Sequence, residues 1–188
     1  MATLELPGAY LWSEQDQILH MVLKGKLAEL MLLAAPEIYS PFIQIIKDGK
    51  PILYVKLLKA LYGCLKSALL YYRKLRTDLE NMGFKVNPCD PCVANRIVCG
   101  TQQTIVWHVN DLKLSHLILR ENTKIIQKLM NIYGKDMKVR RGKKHRYLGI
   151  DMDWSVKDQL MIDMSEYNKE TVSMWPDPPE KTCKDPGR

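Results

Sequence analysis

The chain has 188 residues, enough for one compact domain with a substantial core, and its 46% hydrophobic and 26% charged residues are typical of a globular protein. No apolar run approaches the roughly 20 residues needed to span a bilayer, and the amino terminus lacks the features of a signal peptide. We therefore expect an intracellular protein without a membrane role, in which the five cysteines are reduced. The formal charge of +7 favours a polyanionic partner.

The first third of the sequence consists mainly of short apolar runs. The predicted elements are strands at 4–6, 18–23, 42–46 and 52–57 and a helix at 26–35. Pro36 ends this helix, and the polar Lys47-Asp48-Gly49-Lys50 between the third and fourth strands indicates a hairpin.

The clearest helix is predicted over about residues 65–82, with Gly83 as the residue that ends it. Its apolar side chains recur at helical spacing on one stripe: Leu65, Ala68, Leu69, Tyr72, Leu75, Leu79 and Met82. This pattern predicts that Tyr72 lies in the core.

The second half of the chain alternates predicted strands with one further helix. Strands are predicted at 92–98, 104–109, 112–116, 138–141, 145–154 and 159–164, and a helix at about 120–133. This order predicts an α+β fold, in which an antiparallel sheet has helices packed on one face. Residues 165–188 are expected to form a variable, disordered tail, because the chain from Trp175 onward is rich in proline and charge.

One hairpin carries the residues of greatest interest. Asn110 and Asp111 lie between two apolar runs, and this pattern predicts a tight turn with an acidic tip. Asn is common at such turns because it readily adopts a positive φ. From spacing alone, Glu5 and Asp111 are simply two acids at strand ends.

Several motifs occur in an order that is characteristic of one family. They are Pro7-Gly8-Ala9-Tyr10-Leu11, Lys59-Ala60-Leu61-Tyr62-Gly63, Gly83-Phe84 with Asp90-Pro91-Cys92, Val109-Asn110-Asp111-Leu112 and Tyr147-Leu148-Gly149-Ile150. In order and approximate spacing, the chain resembles the reverse transcriptase of copia-type retrotransposons over about residues 3–164. The resemblance implies that residues 1–164 form a polymerase palm with part of the fingers, and that the ancestral activity is RNA-directed DNA polymerase.

The resemblance also implies a set of site residues. Glu5, Asn110 and Asp111 correspond to the catalytic positions that hold Mg²⁺, with Glu5 and Asp111 as the candidate metal ligands. Tyr10 corresponds to the aromatic residue that packs against the incoming sugar, and Lys66 lies in the segment beneath the nucleotide. The implied partners are an RNA template, a DNA primer, a deoxynucleoside triphosphate and other modules of a retrotransposon polyprotein, in the cytoplasm or a virus-like particle.

The chain departs from the family at two of the three acidic positions. Glu5 replaces an Asp and is one methylene longer, and Asn110 replaces an Asp with a neutral amide. Catalytic geometry tolerates little displacement, and Mg²⁺ prefers anionic oxygen ligands. We therefore expect a catalytically impaired copy. The upstream fingers segment, the thumb and a ribonuclease H module are not recognisable, which predicts a fragment.

Two alternatives remain open from the sequence. Instead of an impaired polymerase, the chain is a non-catalytic nucleic-acid-binding module or a pseudogene product, either of them derived from the polymerase. A basic run favours nucleic-acid binding, and its candidate residues are Lys138, Arg140, Arg141, Lys143 and Lys144, with Trp154 nearby. The Cys89 and Cys92 pair has the spacing of a zinc knuckle, but no second pair has matching spacing.

Overall fold

A computed structural model of the chain describes residues 1–175. The strands are β1 (Ala2–Glu5), β2 (His20–Lys24), β3 (Gln44–Ile45), β4 (Pro51–Lys56), β5 (Lys85–Val86), β6 (Val93–Val98), β7 (Thr101–His108), β8 (Asp111–Ser115), β9 (Lys138–Arg141), β10 (Lys144–Tyr147), β11 (Ile150–Asp153) and β12 (Met161–Asp163). The helices are α1 (Lys26–Ala34), α2 (Pro36–Tyr39), α3 (Ser67–Asn81), α4 (Leu119–Tyr133) and α5 (Ser165–Ser173). Strand pairing is antiparallel throughout these residues, so the chain has the predicted mixture of helices and antiparallel sheets of an α+β protein.

Internal contacts divide the chain into two compact units. The main unit comprises Met1–Pro7 and Met82–Arg188, and the inserted unit comprises Gly8–Asn81. The main unit contains a six-stranded sheet in the order β5-β6-β7-β8-β1-β9 and a three-stranded sheet in the order β10-β11-β12. The inserted unit contains a three-stranded sheet in the order β2-β4-β3.

The six-stranded sheet has a buried apolar face and a polar face. In β8, Leu112 and Leu114 are fully buried, whereas the alternate residues Asp111 and Lys113 are only partly buried. This alternation follows from the two-residue period of a strand. It places Glu5 of β1, Asp111 and Lys113 of β8, and Lys138 and Arg140 of β9 on the polar face, whereas Arg141 lies on the face covered by α4.

Helix α4 packs on the apolar face of the sheet. Gln103 of β7 donates a hydrogen bond of 2.9 Å from Nε2 to Oδ1 of Asn122, and Arg141 of β9 donates one of 2.8 Å to the hydroxyl of Thr123. The buried stripe of the helix includes Ile125 and Leu129, as the apolar spacing of the sequence predicts. Helix and sheet together form the core of the main unit.

The three-stranded sheet of the main unit, β10-β11-β12, contacts the polar face of the six-stranded sheet. The hydroxyl of Thr3 lies 3.2 Å from Nδ1 of His145, and Nζ of Lys113 lies 3.7 Å from Sδ of Met152. His145 is buried because of this contact, with 3% of its surface exposed. The polar face is therefore covered in its middle and open at the two ends of the β1 and β8 strands.

The prediction of one strand over 145–154 is wrong. Leu148 and Gly149 have φ angles of 52° and 77°, which reverse the chain between β10 and β11. Glycine adopts such values at little cost, whereas leucine does not. The turn was not predicted because Leu148 is apolar and was therefore assigned to a strand. In the structure, Leu148 is 46% exposed.

Helix α5 lies in the segment expected to be a disordered tail. Glu166 accepts a hydrogen bond of 2.5 Å from Arg146, and the Tyr167 ring packs directly over Gly149. Residues 165–173 form a helix, and these two contacts connect it to the β10–β11 hairpin. The remainder of the expected tail, residues 176–188, lies outside the described part of the chain.

The structure of the long helix confirms the predicted burial of Leu75 and Leu79 and corrects the rest of the predicted core face. Tyr71, Leu75 and Leu79 of α3 are buried, whereas Leu65 and Leu69 are exposed and Tyr72 is only half-buried. Burial raises the pKa of the Tyr71 phenol above its ordinary value, and the neighbouring Tyr62, Asp78 and Tyr10 add to this effect. The prediction that Tyr72 is the core tyrosine is therefore wrong.

None of the helices in residues 1–175 combines the length and the apolar character that crossing a membrane requires.

Replacing Gly149 by Ala tests the contact between the β10–β11 turn and α5. A Cβ atom there would lie 2.6 Å from Cδ2 of Tyr167, in addition to the strain of alanine at a φ of +77°. We expect the free energy of unfolding in urea to fall by about 2 kcal/mol or more, of which about 1 kcal/mol is backbone strain.

Gly100→Ala is the matched control, because its φ is +73° and a Cβ there meets no atom within 4 Å. Its free energy of unfolding should fall only by the contribution of backbone strain. The excess cost of Gly149→Ala should disappear in a Tyr167→Ala background. Equal losses for the two glycine substitutions would contradict the contact.

Candidate functional site

Two acidic side chains face each other at the open end of the β1–β8 pair. Glu5 is the residue directly opposite Asp111 in the antiparallel register. Beyond this pair, the Leu6 N–H donates a hydrogen bond of 2.8 Å to the Asn110 carbonyl, which closes the end of the ladder. Opposite residues have Cα atoms about 4.5 to 5.5 Å apart and share a face of the sheet. Two residues that are 106 positions apart in sequence are thus brought into one site.

The turn that presents Asp111 differs from the predicted one. His108 pairs with Asp111, so Val109 and Asn110 form a two-residue turn, and Asp111 is the first residue of β8 rather than part of the tip. Val109, not Asn110, has the positive φ, at 51°. A β-branched residue rarely adopts this conformation, so the turn stores backbone strain beside the acidic pair.

A lysine lies on the other side of Glu5. Lys138 of β9 is directly opposite Glu5, and its Nζ lies 3.1 Å from both carboxylate oxygens. The Glu5 carboxylate is therefore flanked by a cation on one side and by Asp111 on the other. Lys138, a predicted nucleic-acid contact, is an ion-pair partner inside the site.

Asp111 is partly withdrawn from water. Burial raises the pKa of its carboxyl above the ordinary value, the negative charge of Glu5 raises it further, and His108 opposes the shift. The charge of Glu5 therefore disfavours ionisation of Asp111. This coupling is the electrostatic consequence of their cross-strand pairing.

The acidic pair lies in a cleft of about 260 Å³ that we call the acidic cleft. Its lining includes Glu5, Asp111, Lys138, Arg140, Arg146 and Tyr147. Arg146 forms ion pairs with Glu166 and Asp151, whereas Arg140 has no ion pair with any carboxylate in residues 1–175. The cleft thus offers one unneutralised guanidinium next to two carboxylates.

Tyr147 contributes a buried hydroxyl to the same region. Burial raises the pKa of this phenol to about 12, and the nearby Asp111, Cys92 and Asp90 act in the same direction. Within the described residues, the hydroxyl has no hydrogen-bond partner. Buried hydroxyls are normally paired, so this unpaired group is an exception in the described part of the chain.

The predicted nucleotide contacts belong to the inserted unit. The Tyr10 ring stacks on Tyr62 with centroids 4.2 Å apart, and Nζ of Lys66 lies 3.7 Å from a carboxylate oxygen of Asp16. Both residues have partners inside their own unit. Ser67, one position after Lys66, is buried and donates a hydrogen bond to the Leu61 carbonyl, which links the start of α3 to the Leu61-Tyr62-Gly63 turn.

The residues of the basic run have different interaction partners. Lys144 pairs with Asp153 at 3.1 Å, and Arg141 donates to Thr123 on α4. Arg140 and Lys143, in contrast, form no ion pair with a described carboxylate. The predicted nucleic-acid contacts therefore differ in whether they have an ion-pair partner within the described residues.

The cysteine and histidine candidates do not assemble a zinc site in residues 1–175. No group of three or more His, Cys, Asp or Glu side chains there could hold a metal ion. His116 is buried and engages the Thr101 hydroxyl at 2.8 Å, and His108 is exposed.

The residues around Glu5 do not fit a pair of Mg²⁺ ions. The acidic cleft has two carboxylates, the neighbouring Asn110 supplies no charge, and the Lys138 ammonium already neutralises Glu5. Two-metal sites require several anionic oxygens around ions roughly 3.5 to 4 Å apart. The donor set is too poor in negative charge for this chemistry.

Sequence reasoning missed three features in or next to the acidic cleft: the strained Val109 in the adjoining turn, the lining role of Arg146 and the buried hydroxyl of Tyr147. Tyr147 had a usable signal, because it begins the Tyr-Leu-Gly-Ile motif and alternates with His145 along one strand face. The other two depend on the turn and on α5, which no local pattern reveals.

No protein-family model matches the chain, and no curated protein matches it.

The raised pKa of Asp111 predicts how an Asp111→Asn variant differs from the unmodified chain. The folded state holds the Asp111 proton more tightly than the unfolded state, so ionising this carboxyl lowers stability as pH rises above about 3.8. The variant lacks this titration. Its free energy of unfolding, relative to the unmodified chain, should rise between pH 3.8 and the folded pKa and then stay constant.

Asp153→Asn should show the opposite sign. Hydrogen bonds from Ser155 lower the pKa of Asp153, so its stabilisation is present above the ordinary value and is lost as pH falls below it. Urea unfolding across about pH 3 to 7 measures both differences. A flat difference for Asp111→Asn would contradict the assigned environment.

Proposed function

We propose that the chain is the reverse transcriptase domain of a copia-type retrotransposon, an RNA-directed DNA polymerase in fragmentary and catalytically impaired form. In this proposal the main unit derives from the polymerase palm and the inserted unit from part of the fingers. The ancestral substrates are an RNA template, a DNA primer and a deoxynucleoside triphosphate.

One observation carries the proposal: motifs far apart in sequence meet in the acidic cleft. Glu5, which lies just before the first motif, is opposite Asp111 of the hairpin motif, and Tyr147-Leu148-Gly149 of the last motif lines the same cleft. The resemblance requires these segments to converge, since a polymerase site joins acids from two neighbouring strands. A chance likeness of short motifs gives no reason for this convergence.

The impairment follows from charge and geometry. The leading metal position is Asn110, the other acid is lengthened to Glu5, and Lys138 neutralises that acid at 3.1 Å. Loss of a single stabilising group typically lowers a rate by about 10² to 10³. Several changes of this kind together remove detectable nucleotide addition.

We expect no extension of a DNA primer on an RNA template by the unmodified chain, with Mg²⁺ or with Mn²⁺. The double variant Glu5→Asp with Asn110→Asp restores the acidic set, and we expect calorimetry to show Mn²⁺ binding at least about tenfold tighter than that of the unmodified chain. Metal binding is the primary measurement, since turnover depends on further parts of the enzyme.

Asn131→Asp in α4 is the matched control, because it adds the same charge at an exposed position that does not line the acidic cleft. It should leave Mn²⁺ affinity unchanged. Template-directed extension by the unmodified chain, or tight binding of paired ions by it, would show that the site is intact. No gain of affinity in the double variant would count against the polymerase ancestry of the cleft.

The second candidate function is a non-catalytic nucleic-acid-binding module. It is favoured by Arg140, a cation at the rim of the acidic cleft that pairs with no described carboxylate, together with the net charge of +7. Duplex backbones bind such groups with release of counterions, which requires no metal.

Arg140→Gln should weaken binding of an RNA–DNA duplex and reduce the slope of log affinity against log salt by up to about 0.9. Lys144→Gln removes the same charge from a residue already paired with Asp153, so its effect should be smaller. Fluorescence anisotropy at several salt concentrations in EDTA measures both. Equal effects of the two substitutions would mean that the local ion pairs do not select the contact.

A further inference from the structure

A second cleft lies at the opposite end of the same strand pair, and we call it the tryptophan cleft. It has a volume of about 520 Å³ and lies between the end of β8 and the β9–β10 turn. Its lining includes Gln102, Lys113, Ser115, Leu117, Lys143 and Trp154. Small-molecule sites typically have volumes of roughly 300 to 1,000 Å³, so this space is large enough for a ligand.

The lining of the tryptophan cleft is positive. Lys113 and Lys143 contribute ammonium groups, and the lining includes no Asp or Glu. Lys113 is half-buried, yet its ammonium contacts only Sδ of Met152 at 3.7 Å and the Tyr147 ring at 5.9 Å. It forms no ion pair with a carboxylate in the described part of the chain. A partly desolvated cation without a counter-charge favours an anionic ligand.

The aromatic wall of the cleft is held in place. The Trp154 N–H donates a backbone hydrogen bond of 2.8 Å to the Lys143 carbonyl, and its ring meets the edge of His145 at 6.1 Å between centroids. His145 is fixed in turn by the Gly142 carbonyl, 3.0 Å from Nε2, and by the Thr3 hydroxyl. Because a carbonyl only accepts, Nε2 of His145 donates this hydrogen bond.

A polar acceptor completes the lining. The Gln102 side chain donates from Nε2 to Asn95 and Thr104, which orients its Oε1 without a described donor. His116 is not such a group, since the Thr101 hydroxyl and the Ile118 N–H already engage its ring nitrogens. The lining therefore includes two lysines, an indole ring and one amide oxygen, together with Met1.

We propose that the tryptophan cleft binds a nucleoside phosphate without a metal ion. The base stacks on the indole of Trp154, the phosphate lies between the Lys113 and Lys143 ammonium groups, and Gln102 Oε1 accepts from the base edge. Aromatic stacking with nearby cations is the usual chemistry of metal-free, sequence-tolerant nucleotide binding. The site is separate from the acidic cleft and does not depend on polymerase ancestry.

The probe is a fluorescein-labelled oligothymidylate of about eight nucleotides, measured by anisotropy in EDTA with the full chain. Trp154→Ala should weaken binding by about 5- to 100-fold, the range of a lost stacking contact, and Trp154→Phe should retain most of the affinity. Lys113→Met and Lys143→Gln should each weaken binding several-fold and reduce its salt dependence. Thymidine monophosphate as a competitor separates a free nucleotide from a nucleotide within a strand, and either source supports the site.

Matched controls are Lys128→Gln on the exposed side of α4 and Trp175→Ala, neither of which lines the cleft. Both should bind as the unmodified chain does. Equal losses in the controls, no effect of Trp154→Ala, or competition by orthophosphate as strong as that by the mononucleotide would each overturn the proposal. Because metal is absent from this measurement, its outcome is independent of primer extension and Mn²⁺ binding.

Discussion

The pairing of β1 with β8 is the constraint on which both clefts depend. Its register puts Glu5 opposite Asp111 at one end and Ala2 opposite Leu114 near the other, and the Leu6 N–H to Asn110 carbonyl bond closes the ladder. A slip of one residue would exchange the two faces of a strand, burying the acids and exposing the leucines. The buried apolar face under α4 therefore fixes the position of the polar groups on the other face.

The acidic cleft is defined by how its charges are balanced. A polymerase site collects negative charge for metal ions, whereas here Lys138 lies against Glu5 and the amide of Asn110 stands where a further carboxylate is expected. The ion pair is largely exposed and contributes little to stability. Its effect is instead on the charge of the cleft, because the ammonium group of Lys138 lowers the attraction of Glu5 for a divalent cation.

The β10-β11-β12 sheet lies across the middle of the polar face and separates the acidic cleft from the tryptophan cleft. His145 and Tyr147 alternate along β10 and lie next to Thr3 and Lys113 in the middle of the face, with the acids at one end and the Trp154 ring at the other. Side chains of one short strand thus support both clefts. Changes in β10 are expected to affect the two sites together, whereas changes in Trp154 or Asp111 affect one each.

Local patterns in the sequence were sufficient for most elements: they predicted strands close to β8 and β9 and a helix close to α4, and the order of elements predicted the α+β class. The motifs also predicted that Glu5 and Asp111 belong to one acidic site.

The sequence was misleading where long-range packing decided the outcome, as for Tyr71 in place of Tyr72, the break at Leu148-Gly149, and Val109 as the strained turn residue. The partner of Glu5 lies 133 positions away at Lys138, and the walls of the tryptophan cleft come from separate segments of the chain. Periodicity reports which face of an element is buried, but cross-strand register and side-chain partners are decided only when distant segments pack, and these partners determine the charge of each site.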